Sequence, residues 1–324
     1  MLDVQVLEGE AYGLLPLLHE RLMDIAPDYP HMQLLKGVRQ RHWYVNSLRL
    51  GAAAAAAGAL RAGGHEPLLG GAAAVLHRIG DQSMLPLPDV DLILHRDRLD
   101  RATTLLEGQG WRRIAEWQSG PLLERRAVRV GSRDGQYATL KAGSPPAFHP
   151  SPDEIEIHGQ RLGIIAPGNL LVSALVETGR APEGPALRWA ADAAFAWREV
   201  TARAEWQRAV EVAIARGVAL RVSERLTELE ELLDVRTPRD VARGLRVPVG
   251  RRELLAERLQ VEDREHATVA ALLRRTSGMG ALATVRTVSA QLSELWGQPS
   301  AGRLPGEAAR RLLQRVRPRP GDPI

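Results

Sequence analysis

The chain has 324 residues, of which 44% are hydrophobic and 25% are charged, and these values are typical of a globular protein with one large or two modest domains. The formal net charge is only +4, and all but two of the 43 basic residues are arginines, a bias typical of a GC-rich bacterial genome. The absence of cysteine excludes disulfides, thiolate metal sites and cysteine nucleophiles. Neither a long apolar run nor a secretory signal is evident, so we expect a cytoplasmic protein that does not associate with membranes.

The periodicity of apolar residues predicts three successive regions. The first, from about Leu14 to Gly63, has helical spacing. The second alternates strands and helices, with strands predicted at Glu66–Leu69, Asp89–His95, Trp111–Trp117, Leu122–Val130, Tyr137–Lys141, Ile155–Ile157 and Arg161–Ile165, and helices at Gly71–His77 and Asp97–Gln109. The third is helical again, over Asn169–Thr178, Pro185–Arg216 and Val218–Leu233.

This order predicts an α+β fold in which a small mixed sheet is flanked by helices on both sides in the sequence, and it argues against a doubly wound parallel sheet. We expect an N-terminal helical arm over residues 1–63 and an α/β core over 64–166. A helical C-terminal domain over 167–316 and a flexible tail over 317–324 would follow. The terminal segment from Arg303 to Arg319 is distinctly basic, and we interpret it as a solvated terminus rather than a nucleic-acid-binding segment.

The segment with the clearest chemistry is Pro88-Asp89-Val90-Asp91-Leu92-Ile93-Leu94, which follows the pair Gly70-Gly71. Side chains two residues apart on a strand point to the same side, so the carboxylates of Asp89 and Asp91 would lie next to each other. Two adjacent carboxylates repel each other unless a cation lies between them, so the pair is a candidate site for a divalent metal. The alternative is a pair of acids on a solvated strand edge.

These residues resemble the bacterial family of uncharacterised nucleotidyltransferases, within the DNA polymerase β-like nucleotidyltransferase superfamily. The resemblance rests on Leu68-Leu69-Gly70-Gly71 followed by Pro88-Asp89-Val90-Asp91, and it extends over roughly residues 40 to 260. His42-Trp43-Tyr44, the segment from Leu162 to Leu171, and Leu187 to Asp192 resemble further parts of the family pattern.

The resemblance implies that Gly70 and Gly71 bind nucleotide phosphates through backbone amides, and that Asp89 and Asp91 hold two Mg²⁺ ions. It also implies that a third carboxylate on a later strand completes the site, with a nucleoside triphosphate as substrate and pyrophosphate as leaving group. Ser83 is a further candidate phosphate ligand, with an ordinary loop serine as the alternative. Arg188 would face a phosphate if its helix lies behind the site, and otherwise forms a surface ion pair with Asp192.

The chain departs from the family pattern at three points. Gly70 stands where a lysine is common, Leu85 or a neighbour stands where an arginine is common, and Thr139 stands where the third carboxylate is expected. The candidate replacements for that carboxylate are Asp134, Glu154 and Glu156. The two-metal site implied by the resemblance is therefore incomplete in this sequence.

Two functions remain open from the sequence. The first is magnesium-dependent transfer of a nucleoside monophosphate from a nucleoside triphosphate to a hydroxyl or phosphate acceptor on a small molecule or peptide. The second is a catalytically impaired protein of the same fold that acts as a binding or scaffolding partner. Nucleic acid is not an expected partner, because the chain has no coherent basic track. The sequence leaves open the nucleotide, the acceptor and the oligomeric state.

Overall fold

A computed structural model describes residues 9–117, 127–132, 135, 137–143, 149–177 and 188–246. All of them belong to the first of two compact units into which the chain divides, Met1–Val249 and Gly250–Ile324. The domain limits expected from the sequence stay predictions.

The first helical region contains three helices, the first of which precedes the predicted start at about Leu14. They are α1 (Gly9–Gly13), α2 (Leu15–Ile25) and α3 (Met32–Ala62). The break between α2 and α3 contains Pro27 and Pro30, which lack the N–H that a helix interior requires. Helix α3 runs for 31 residues, and its buried alanines allow it to lie close to the sheet. It contacts β5 and β7, while α2 packs along α3.

The centre of the described part of the chain is a mixed seven-stranded sheet in the order β3-β4-β5-β2-β1-β7-β6. Its strands are β1 (Leu68–Gly70), β2 (Asp91–His95), β3 (Arg112–Trp117), β4 (Ala127–Gly131), β5 (Tyr137–Gly143), β6 (Pro150–Ile157) and β7 (Gln160–Ile165). The β2–β5 and β1–β7 pairs are parallel, and the other pairs are antiparallel. The predicted α+β class with a mixed sheet is therefore confirmed.

The remaining described helices are α4 (Gly71–Ile79), α5 (Leu99–Gly108), α6 (Pro167–Glu177), α7 (Arg188–Glu199), α8 (Arg203–Ala215), α9 (Ala219–Leu233) and α10 (Arg239–Leu245). The helical stretch predicted over Pro185–Arg216 contains two helices in its described part, because the chain leaves the helix at Val200 and re-enters it at Arg203. This turn brings Trp197 of α7 edge-on against Trp206 of α8, with ring centroids 4.8 Å apart. Packing of the two aromatic rings thus accompanies the break between the helices.

One continuous apolar cluster joins the sheet to α3 through α10. Strand β2 is the fourth of the seven strands, and its residues Leu92, Ile93 and Leu94 are almost fully buried. The start of β2 is therefore fixed by packing on both of its edges and both of its faces. Among the described helices, none has the length and apolarity that a membrane crossing requires.

Candidate functional site: the Asp89–Asp91 cluster

The turn from β1 into α4 brings the glycine pair against the start of β2. Gly70 is the last residue of β1 and lies opposite Asp91 in the antiparallel β1–β2 pair. Gly71 is the first residue of α4 and has φ of +56°, a conformation that favours glycine. A Cβ atom at Gly71 would lie 2.5 Å from Oδ2 of Asp91, so the Asp91 carboxylate fills the space that a side chain would need. The glycine pair therefore lies beside Asp91, and the role of Gly70 and Gly71 at nucleotide phosphates stays a prediction.

A row of directly opposed residues crosses four strands at this level of the sheet. Arg129 of β4 lies opposite Thr139 of β5, Thr139 lies opposite Asp91 of β2, and Asp91 lies opposite Gly70 of β1. Directly opposed residues of neighbouring strands project to the same face. Lys141 follows Thr139 by two residues, so it shares this face as well.

Both aspartates form ion pairs with cations of the same chain. Nζ of Lys141 donates a hydrogen bond of 2.7 Å to Oδ2 of Asp91, and the exposed fractions of these two side chains are 16% and 11%. A guanidinium nitrogen of Arg129 lies 2.5 Å from Oδ2 of Asp89. The hydroxyl of Thr139 donates to Oδ1 of Asp89 at 2.9 Å. Two carboxylates and two cations therefore neutralise each other, and hydrogen bonds between charged groups are among the stronger ones in proteins.

Tyr137 and Arg49 form the adjoining wall of the cluster. The guanidinium carbon of Arg129 lies 4.7 Å from the centroid of the Tyr137 ring, and that of Arg49 lies 5.8 Å from it. The hydroxyl of Tyr137 donates to the carbonyl of Pro88, and Arg49 donates to the carbonyl of Leu87. These contacts orient Arg129 toward Asp89 and hold the backbone that leads into Asp89.

No third carboxylate completes the pair within the described residues. Thr139 occupies the position opposite Asp91 at which the resemblance implies an acid. Glu154 and Glu156 are exposed on β6, which is separated from β2 by β1 and β7, so neither of these candidate replacements lies beside the aspartate pair. Asp134 lies outside the described residues. Across the part of the chain that the structure describes, no group of three His, Asp or Glu side chains could hold a metal ion.

The described residues therefore do not fit a two-metal centre. Each candidate ligand, Asp89 and Asp91, already contacts an arginine or lysine at hydrogen-bonding distance, and a metal ion would have to displace that cation. Magnesium prefers oxygen ligands in near-octahedral geometry, which an ammonium or guanidinium group in the same position obstructs.

The loop that precedes Asp89 is held by the side chain of Asn46 on α3, which is almost fully buried. Its amide nitrogen donates to the carbonyls of Gln82 and Leu85 at 2.6 and 2.8 Å, and its amide oxygen accepts from the backbone N–H of Leu87 at 2.9 Å. All three contacts lie within six residues of the same loop. The N-terminal helical region thus fixes the path of the chain into the Asp89–Asp91 cluster.

Ser83 lies in this loop, is 4% exposed, and contacts Asp81 and Arg39. Its hydroxyl donates to Oδ1 of Asp81 at 2.5 Å and accepts from Nε of Arg39 at 2.9 Å. Burial raises the pKa of Asp81, but the hydrogen bonds from Ser83 and the Arg39 guanidinium together outweigh burial, so this pKa lies below its ordinary value. The role of Ser83 as a phosphate ligand stays a prediction.

Arg188 begins α7, but its side chain lies outside the described residues, so its role at a phosphate also stays a prediction.

Arg129 and Lys141 are the functional residues that sequence reasoning missed. The alternation of Thr139 and Lys141 on one strand was a signal that both share a face. Their meeting with Asp89 and Asp91 depends on strand order and register, which the sequence does not reveal.

No protein-family model and no curated protein matches the chain. Among solved structures it is similar to the crystal structure of an antigenic nucleotidyltransferase-like protein from Paracoccidioides brasiliensis, with 15% sequence identity and a TM-score of 0.39. The match covers 61% of this chain and 92% of that chain.

Proposed function

We propose that this chain is a catalytically impaired protein of the nucleotidyltransferase type that acts as a binding or scaffolding partner. The observation that carries the proposal is the pairing of Asp89 with Arg129 and of Asp91 with Lys141. These contacts give the two carboxylates the compensating charge that a metal ion would otherwise supply.

The energetics of the Asp91–Lys141 pair support this proposal. Both side chains are largely buried, so separating Lys141 from Asp91 removes a close counter-charge from each group in a poorly solvated position. A metal ion that bound to Asp91 would have to offset this cost as well as its own dehydration. Thr139 adds a neutral hydroxyl where a third negative charge would favour the metal.

Magnesium-dependent transfer of a nucleoside monophosphate from a nucleoside triphosphate is the second candidate. One observation favours it: Gly70, Gly71 and Asp91 meet at a single point of the sheet, as the resemblance implies for a phosphate site beside a metal ligand. The two candidates differ in whether magnesium and a nucleoside triphosphate bind together in a manner that requires Asp89 and Asp91.

Calorimetric titration of Mg²⁺ and of each nucleoside triphosphate, together and separately, distinguishes the candidates. We expect the wild-type protein to show no magnesium-dependent nucleotide binding and no labelled product when labelled triphosphates are added with a cell extract. Labelled product that disappears in Asp91→Asn, but not in the matched control Asp97→Asn just beyond β2, would establish the transferase instead.

A variant that restores the missing acid serves as a positive control. In Thr139→Asp with Lys141→Ala, three carboxylates face one another and the lysine is absent, so we expect Mg²⁺ binding that the wild type lacks. Equal Mg²⁺ binding by the wild type and this variant would contradict the proposal that the ion pairs replace the metal.

A further inference from the structure

A separate cleft lies at the opposite end of α4 from Gly71. It has a volume of about 500 Å³ and lies between α2, α4, α6 and α7. This volume falls within the range of small-molecule sites in proteins. Because α4 spans nine residues, the cleft and the Asp89–Asp91 cluster occupy different ends of one helix.

The floor of the cleft is apolar. It is formed by Leu17, Val75, Ile79, Met84, Leu170 and Ala196. Of these side chains, Val75, Met84, Leu170 and Ala196 are buried, so they are held in position by the core beneath. A ligand on this floor would gain free energy from burying apolar groups of its own.

Arg78 of α4 and Glu199 of α7 close one side of the cleft. A guanidinium nitrogen of Arg78 lies 2.9 Å from Oε2 of Glu199, and a second contacts Ser151 and Asp153 of β6. The Arg78 side chain is only 15% exposed. The charge of Glu199 is thus already compensated by the protein. Neither Arg78 nor Glu199 requires a charged ligand for electrostatic compensation.

The remaining charges of the cleft are divided between its two walls. Helix α2 contributes Glu20, Arg21 and Asp24, which leaves an excess of one negative charge, whereas α7 contributes the positive charge of Arg198. Within the described residues, none of these four side chains forms an ion pair, and Arg198 lies 5.7 Å from the centroid of the Phe195 ring. The cleft therefore has an apolar floor, an acidic wall and a basic wall.

We infer that this cleft binds a short peptide that has free termini and an apolar side chain. The α-ammonium group would lie at Glu20 and Asp24, the α-carboxylate at Arg198, and the apolar side chain on the floor between them. A simple anion would face Glu20 and Asp24, and a simple cation would face Arg198, so only a ligand with separated charges of both signs complements both walls.

The experiment is a titration of the whole 324-residue chain with the tripeptide Ala-Leu-Ala, monitored by calorimetry and by chemical shifts. The same peptide is tested with an acetylated amino end and with an amidated carboxyl end. We expect the free tripeptide to bind and each blocked form to bind about threefold to fivefold more weakly, the size typical of an exposed ion pair. We expect a similar loss for Arg198→Gln and for Glu20→Gln with Asp24→Asn.

Arg112→Gln is the matched control, because Arg112 is an exposed arginine on β3 that does not line the cleft. We expect it to bind the tripeptide like the wild type, and urea denaturation checks that each variant is folded. Equal affinity for free and blocked peptides, no binding at millimolar peptide, or saturation by decanoate in place of the peptide would each overturn the inference. None of these results depends on whether the Asp89–Asp91 cluster binds a metal.

Discussion

Lys141 and Asp91 form the least exposed ion pair of the Asp89–Asp91 cluster, and their contribution to stability is measurable. In Lys141→Met the carboxylate of Asp91 loses the ammonium group that lies 2.7 Å from it. We expect the free energy of unfolding, measured by urea denaturation, to fall by about 3 kcal/mol, as is typical when one member of a buried pair is removed.

The double variant Asp91→Asn with Lys141→Met removes both charges, and we expect it to be more stable than Lys141→Met alone. Arg113→Met is the control, because Arg113 is 39% exposed and contacts Glu107 and Glu116 at the surface. We expect that change to cost less than about 1 kcal/mol. A loss in Lys141→Met no larger than in Arg113→Met would contradict the importance assigned to the buried pair.

Gly71 is constrained both by its backbone conformation and by the Asp91 carboxylate beside it. We expect Gly71→Ala to lower the free energy of unfolding by about 3 kcal/mol, because a strained φ angle is combined with displacement of a paired carboxylate. Gly80→Ala is the matched comparison, since Gly80 has φ of +79° and no neighbouring atom within 4 Å of an added Cβ. We expect Gly80→Ala to lower the free energy of unfolding by only about 1 kcal/mol, the cost of the positive φ angle alone. Equal losses in the two variants would show that Asp91 does not constrain Gly71.

At the scale of single residues, sequence reasoning singled out Gly70, Gly71, Asp89 and Asp91, because each lies in a short local pattern, and the two glycines do lie beside Asp91. It did not identify the cations beside the aspartates. Arg129 and Lys141 lie 40 and 50 residues from their partners in the chain. Such contacts are set by which strands become neighbours, and local periodicity carries no information about that choice.

Helix α3 is the element on which the loop before Asp89 depends. Three hydrogen bonds from one buried side chain, Asn46, reach the backbone of residues 82–87. We expect Asn46→Ala to lower the free energy of unfolding by about 3 kcal/mol, because two carbonyls and one N–H would lose their partners in a buried setting. Hydrogen exchange should accelerate at the amide of Leu87.

Ser47→Ala provides the comparison on the same helix. Ser47 is the next residue of α3, is only partly buried, and accepts a single hydrogen bond from the side chain of Gln82. We expect its loss to cost about 1 kcal/mol or less and to leave exchange at Leu87 unchanged. If Asn46→Ala had no greater effect than Ser47→Ala, the proposed dependence of the loop on α3 would be wrong.

At the scale of elements, the sequence predicted the type of most helices and strands and failed mainly at breaks. The alternating polar and apolar residues of Tyr137–Lys141 predicted β5, and the apolar run after Asp89 predicted β2. Both patterns are local, so the sequence alone reveals them. The break at Val200 was missed because no glycine or proline marks it. Asn46 offered a signal that was not used: it lies on the apolar face shared by His42 and Leu50, where a polar residue indicates a tertiary hydrogen bond.

The whole molecule should lose stability on mild acidification because His19 and His65 are buried. Burial lowers the pKa of His19, with a further effect of Arg39 and Lys36, and burial lowers the pKa of His65, with a further effect of Arg98 and Arg101. In the pH range between these lowered values and the ordinary value of about 6.5, the unfolded chain binds more protons than the folded one. Stability therefore falls as the pH decreases through that range and levels off below it.

The measurement is the urea midpoint at about pH 7.5 and at about pH 5.5. We expect a lower midpoint at the acidic value in the wild type and a smaller difference in the double variant His19→Gln with His65→Gln. The same difference in both proteins would assign the acid sensitivity to other groups.

The order of strands in the sheet also has a consequence for how the chain folds during synthesis. Strand β1 ends at Gly70, yet its parallel partner β7 begins at Gln160. Strand β2 likewise pairs in parallel with β5, which comes much later in the chain. Strands β1 and β2 can pair with each other early, but the other edge of β2 has no neighbour until β5 has been synthesised, and the other edge of β1 has none until β7 has been synthesised. Pairing over such sequence distances slows folding and exposes strand edges to other chains. Codon choice or temperature that changes the translation rate between residues 70 and 165 should therefore alter the yield of folded protein more than the same change in the N-terminal helices.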